Sequence, residues 1–557
     1  MGHFFFYLAV VAACLLWSAA FTAAAARSRP GRGRDWLGAV AAIVPPLVLV
    51  PWVVLTAILA FRMRLEANWF TPTLMAAISA LIGSVWIARA GLTPSAAPTA
   101  ATWPLMGLAA LCVLAKAVAA GTLLFIDNAV AAEGRMLRVE AAQIMATVLP
   151  PAAGPDANAA PLYLRAFAAL AADKQLGEAE SPFKDPLTAD VTSPEVSAIL
   201  ERHAATLDLL RRATDKPGCR FDRDWSRLSF DMLLPEVVEM RLVARLLTLA
   251  ARREAAAGDV RQALDDVVRI HHVGLHVAGE PTLVSGLVGQ AIDALALMTL
   301  ADVLPRLGTG DLPLLDAERF WDFVATPITY QRAFWGDEAI GLATLGDLAA
   351  GVDGMSALEL LRSISVPVRP MRQAFDGPFS FLYRCFMLPA DIAGYRSVMG
   401  RFRDLVGQMQ ESALPRFPTI AKQTARIEDA ITSRRPGIFS VMLTPSLVAM
   451  ITSQVRGRAL HDVAEVLVAM TRARLAGTSI AESLPPETLA ALPADPFTAD
   501  EPLLAKRSVD GWVVYSVGPD GEDDGGPADG GVDADEGNDD VGLQLAVDPA
   551  PVRPGFP

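Results

Sequence analysis

Histidine is scarce in this 557-residue chain, which has six, and three of them, His271, His272 and His276, fall in one helical stretch. His272 and His276 are four residues apart, so one helix face carries both imidazoles, and Glu280 follows four residues later. Two imidazoles and a carboxylate at that spacing are a set that a zinc-type ion uses. The embedded Glu of the H-E-x-x-H pattern is missing, and Glu280 abuts Pro281 where the helix must end. The stretch is therefore read as a partly exposed helical face, with a metal-dependent hydrolase at His272 and His276 as the alternative. Two carboxylate pairs, Asp222 with Asp224 beside Trp225, and Asp337 with Glu338, have the composition of an acid/base couple. Neighbouring acids are also common on solvated helix faces, and that is how they are read. No phosphate-cradling glycine loop, G-x-S-x-G elbow or kinase motif set occurs in the sequence.

The groups must be carried by an unusual frame. The first quarter of the chain holds four apolar runs, at about 4–26, 36–61, 71–88 and 103–126. About 20 apolar residues cross a bilayer core as a helix, and the third run is the shortest of the four. Residues 1–126 are read as a transmembrane block. The first run ends in small residues, Ala23 to Ala26, like a cleaved signal peptide, but Met1, Gly2 and His3 offer no basic start, so an uncleaved helix is expected. Arg27, Arg29, Arg32 and Arg34 follow it and place their loop in the cytoplasm, with Arg89 on the same side and Arg62 and Arg64 opposite. The chain then leaves the fourth helix on the extracytoplasmic side of a bacterial inner membrane. Lys116 sits near the middle of the fourth run, where a charge is costly and can mark a sensor or transporter. The plainer reading is a lysine facing the bundle interior.

Composition narrows the class. The chain is 52% hydrophobic with a formal charge of −13, so a nucleic-acid surface is not expected. Arg-rich, Ala-rich usage points to a GC-rich genome. Residues 519–540 contain ten acids and no base, which leaves −3 for the rest (−13 + 10). Of the four cysteines, Cys219 and Cys385 fall outside the apolar runs; they are read as two buried thiols, with a disulfide as the alternative in an oxidising compartment.

From residue 127 to about 480 the pattern is helical nearly throughout. Ser193-Pro194-Glu195 opens a helix expected to run to about Arg212. The clearest segment, 235–307, predicts two helices broken at Gly258-Asp259 and a third from Thr282 to Leu304. Residues 437–455 are apolar but too short to span, and are read as core. Residues 481–518 predict a linker and a β-hairpin, with S-V-D-G at 508–511 as its turn. Residues 519–557 read as an acidic Gly/Asp-rich tail without a core of its own.

The phrase DPFTADEPLLAKRSVDGWVVYSVGPDGEDDGG (495–526) resembles the C-terminal module of type II secretion major pseudopilins, through Asp495, Pro496, Pro502, Tyr515, Ser516, Gly518, Asp520 and Gly521. The resemblance implies a calcium loop whose ligands here are Asp520 with Asp523 or Asp524. It covers about 35 residues and lacks the pilin's N-terminal signature, so it implies a shared module only. More loosely, NAAPLYLRAF (158–167), CRFDRDW (219–225), LLPEVVEMRLVARLL (233–247) and GDVRQAL (258–264) resemble a family of uncharacterised bacterial membrane-anchored helical proteins. That likeness implies architecture and no activity. The combined expectation is a mainly α protein: a four-helix transmembrane block, an αα-hairpin helical domain, a small C-terminal β-hairpin and a disordered acidic tail. It would interact with or scaffold other proteins at a membrane.

Overall fold

The computed structural model describes residues 102–546, apart from 152–153, 155, 178–180, 229–231, 233, 330, 351–382, 412–416, 435–446, 479, 481–491, 499–500 and 528–538. The first three apolar runs lie outside the described residues. The fourth falls within helix α1 (Thr102–Val148), whose side chains are described from Phe125 onward; Lys116 precedes that point. The described part is mainly helical, with a small three-stranded antiparallel sheet near its C-terminal end. It divides into two compact units, residues 1–136 with 346–389, and residues 137–345 with 390–557.

In the first unit, Asp127 is fully buried and pairs with Arg384 at 2.8 Å. Gly134 lies where a Cβ would come within 2.7 Å of the Gly346 carbonyl oxygen. That close approach lets α1 and the end of α9 (Gln331–Ala350) pack backbone to backbone.

In the second unit, α1 ends ahead of Pro150-Pro151, since a proline disfavours helix at the residue before it. Helix α2 (Ala160–Ala172) follows, and Ser193 caps α3 (Pro194–Arg202) by accepting the Val196 amide at 3.2 Å. The single helix expected from Ser193 to Arg212 is two, because the chain breaks at His203 before α4 (Ala204–Thr214). The His203 ring turns inward to Asp173 at 3.0 Å.

Helices α5 (Pro235–Ala257), α6 (Val260–Ala278) and α7 (Leu283–Val303) form the centre. Gly258 adopts the left-handed conformation (φ 89°) that ends α5, and Asp259 caps α6 through the Gln262 amide. Among the residues whose side chains are described, helix α7 with its 3₁₀ extension, Leu283–Arg306, is long and apolar enough to cross a membrane. It is packed on several sides, against α5, α6 and α12 (Leu447–Leu475), and 61% of its most apolar window is buried. Helices α8 (Glu318–Ala325) and α11 (Phe417–Arg434) pack on α12, and α10 (Leu388–Glu411) stacks Phe402 on Phe334 of α9. The apolar stretch read as core enters α12 from Leu447, and Met450 and Ile451 there are buried.

The hairpin forms as predicted: β1 (Leu504–Arg507) pairs antiparallel with β2 (Gly511–Ser516). The tail departs from expectation. Residues 541–546 return as β3 (Val541–Ala546) on the far edge of β2. Val541, Leu543 and Leu545 alternate in the sequence, and all three are buried. The strand packs against α7 and α12, so this part of the tail helps cover the helical core.

Candidate functional site

Helices α6 and α7 run antiparallel and touch at glycine. A Cβ on Gly274 would lie 2.7 Å from the Gly289 carbonyl oxygen, and a Cβ on Gly289 would lie 2.7 Å from that of Gly274. One turn away from this crossing on each helix stand His271 and Asp293. Their side chains meet: His271 Nδ1 is 2.6 Å from Asp293 Oδ1. From the third helix, α12, His461 places Nε2 2.8 Å from Asp293 Oδ2, and its Nδ1–H donates to the Val324 carbonyl at 2.9 Å. Phe323 packs on both rings, at 5.1 Å and 6.2 Å between centroids. All three polar residues are buried, at 2%, 1% and 2% exposure.

The electrostatics follow from this geometry. Burial alone would raise the Asp293 carboxyl, but the bonds from His271 and His461 outweigh it and hold the group at about 2. Burial opposes charge on His461, yet the Asp293 carboxylate, in bond and in field, lifts its pKa above the ordinary value. Among the described residues, this is the trio of His, Cys, Asp or Glu whose ligand atoms converge, all within 4.8 Å of one another.

The residues singled out from sequence are distributed differently. His272 and His276 do not form a ligand pair. His272 Nδ1–H donates to the Thr214 carbonyl at 3.0 Å, and His276 Nε2–H donates to the Lys216 carbonyl at 3.1 Å. The remaining nitrogen of His276 accepts the Tyr163 hydroxyl at 2.9 Å. Both ring nitrogens of His276 are thereby used, and burial pushes its pKa down to about 4. The expected partly exposed face is corrected: α4 and the loop after it bury His276 and half-bury His272, and His271 is buried on the side of α6 that meets α7, Phe323 and α12. Glu280 turns away to Arg223, 3.6 Å off, and burial raises its pKa.

The carboxylate pairs are also structural. Asp337 accepts the Leu283 amide at 3.1 Å, supporting the start of α7, and burial lifts it to about 6. Glu338 pairs with Arg403 at 3.2 Å. Asp224 caps its own turn through the Ser226 amide at 3.0 Å. A partly buried ion network centred on Asp266 joins α4, α5 and α6. Asp266 accepts Arg211 and Arg269, and Arg211 also reaches Glu254 at 2.6 Å. Cys219 and Cys385 are buried and not joined as a disulfide.

In the C-terminal module, Asp495 is the buried keystone. Its carboxylate accepts the Phe497 amide at 2.8 Å, the Ser516 hydroxyl at 2.7 Å and the Val517 amide at 2.9 Å. Asp523 accepts the Tyr515 hydroxyl at 2.9 Å and the Gly525 amide at 2.9 Å. Asp520 caps the turn at Glu522, and Asp524 accepts the Asp539 amide at 3.4 Å.

Sequence reasoning placed His271 on the right helix but missed Asp293 and His461. The available signal was Asp293 itself, a lone acid in the apolar run LVSGLVGQAIDALALMTLADV until its last turn. Comparison of the chain with protein-family models, with curated proteins and with solved structures finds no match.

Proposed function

We propose that the chain is a membrane-anchored scaffold or interaction protein that presents a helical domain on the extracytoplasmic side of a bacterial inner membrane, without catalysis of its own. The supporting observation is the direction of its titratable groups. His271, His461, Asp293, His276 and Asp266 are all buried, and each is bonded to another part of the same fold. Acid–base or nucleophilic chemistry on an external substrate needs such groups at an open cleft. Here they tie helices together, and helical surface remains for partners. The anchor is the four apolar runs within 1–126, oriented by their loop arginines. A reporter fused after residue 480 tests the reading: activity only outside the cytoplasm supports it, and cytoplasmic activity overturns the sidedness. A Lys116→Leu chain that inserts and behaves as wild type removes the sensor or transporter reading.

A second reading concerns calcium at Asp520, Asp523 and Asp524, as the pseudopilin resemblance implies. One observation favours it. The Asp540 pKa is raised from its ordinary value by burial first, against the Gly526 amide bond that lowers it, and then by the nearby charges of Asp523, Asp524 and Asp520. A hard cation relieves such crowding. Calorimetry of the full chain with calcium decides; no heat at millimolar calcium removes the reading.

A further inference from the structure

We infer that His271, Asp293 and His461 form a binding site for one divalent transition-metal ion, zinc first, that staples α6, α7 and α12. The inference stands apart from the membrane-scaffold reading and does not depend on it.

The donor set comes first. Two imidazoles and one carboxylate suit zinc and its neighbours, not calcium or magnesium. The three residues come from three helices, with partners 22 and 168 positions apart, so no local turn creates the cluster. The Gly274–Gly289 contact brings α6 and α7 close enough for His271 to reach Asp293, and α12 supplies His461.

The orientation of His461 is the second observation. Its Nδ1–H is committed to the Val324 carbonyl, which leaves Nε2 as the nitrogen aimed at the cluster. A metal-bound histidine is held in that way: the distal N–H is fixed by a backbone carbonyl, and the facing nitrogen offers its lone pair. Nε2 faces the Asp293 carboxylate at 2.8 Å, so an ion seated between the two takes both as ligands. Phe323 walls the cluster with apolar surface on both imidazoles, the kind of shell that excludes competing water.

The distances are those of ligands closed on each other. Donors about 2.0–2.1 Å from a tetrahedral ion stand roughly 3.3 Å apart. The observed contacts run to the two oxygens of Asp293, 2.6 Å from His271 to Oδ1 and 2.8 Å from His461 to Oδ2, and all three ligand atoms lie within 4.8 Å of one another, so seating an ion requires the short contacts to open and any wider spacing to close, by rotation of side chains. Asp462, next in sequence, is occupied by Arg458 at 2.7 Å and is not a competing ligand.

The test uses the full chain, purified in detergent and stripped with a chelator. Zn²⁺ is titrated calorimetrically, and Co²⁺ is followed by its visible absorption. The expected result is about one ion per chain and a thermal midpoint raised by several degrees. Asp293→Asn, nearly isosteric, and His461→Ala should each weaken binding at least tenfold. His272→Ala, outside the trio, should bind as wild type. If the wild-type chain takes up no ion, or if binding survives both substitutions in the trio, the site is refuted; because the wild-type titration decides alone, a variant that fails to fold leaves the test intact.

Discussion

Gly274 and Gly289 face each other across α6 and α7 so closely that a methyl group on either would meet the partner's carbonyl oxygen at 2.7 Å. A backbone oxygen cannot swing aside as a flexible side chain can, so the helices would have to separate. Gly274→Ala and Gly289→Ala are each expected to cost about 1–3 kcal/mol of stability despite alanine's better helix propensity. Urea denaturation measures this. An unchanged midpoint for both variants would show that the helices are not in that contact.

The same crossing sets the reach of His271 to Asp293, and it marks the boundary of what the sequence could show. Helix limits around Ser193, Gly258-Asp259 and Thr282 were legible because caps and breakers act locally. The i, i+4 spacing of His272 and His276 was equally visible but misleading. Spacing gives a shared face and not what covers it, and here the carbonyls of Thr214 and Lys216 do. His461 could not be joined to His271 from sequence, since 190 positions separate them (461 − 271) and only packing brings α12 onto α7. The return of β3 was missed for a different reason. Six alternating residues after an acidic, Gly-rich stretch look like part of the tail unless a free edge is known to await them on β2.

His276 makes stability depend on pH. Its folded-state pKa, about 4, lies below the ordinary value near 6.5. Between those limits the unfolded chain binds a proton that the folded chain refuses, so stability falls as pH drops from about 6.5 to about 4 and levels off below. At ~1.4 kcal/mol per pH unit the loss amounts to about 3 kcal/mol. His276→Gln retains a donor for Lys216 and an acceptor for Tyr163 but cannot titrate. Its denaturation midpoint should be less sensitive to pH in that window; equal slopes for the two proteins would remove His276 as the source.

Asp293 acts in the opposite part of the scale. Its folded pKa of about 2 lies below its unfolded value, so its contribution is present above about pH 4 and lost as pH falls through 2. His461, with a raised pKa, contributes fully below about pH 6.5 and loses that contribution as pH rises through its folded value. Asp293→Asn should therefore destabilise most near pH 5, where both groups are charged in the folded chain. A difference from wild type that is constant from pH 3 to pH 8 would contradict the ion pair.

Asp495 is bound by three donors from two places in the chain: Phe497 close by, and Ser516 and Val517 at the end of β2. Asp495→Asn keeps the size but removes one acceptor oxygen, which leaves a buried donor unmatched at about 1–3 kcal/mol. Asp495→Ala removes every bond at once. Limited proteolysis should then cleave after residue 480 faster in the order wild type, Asn, Ala.

The third strand carries the strongest demand on the C-terminal module. Val541, Leu543 and Leu545 bury their side chains, and β3 pairs with β2 along its whole length, from Gly511 with Ala546 to Ser516 with Val541. A chain stopped at Gly526 would keep the β1–β2 hairpin but expose one edge of β2 and the apolar surface of α7 and α12 beneath β3. Two strands without a third are marginal in water, and an open apolar edge recruits other chains. The truncated protein should lose stability by more than any single substitution in the module and should associate with itself in light scattering. If it instead stays monodisperse with an unchanged midpoint, β3 is not part of the core.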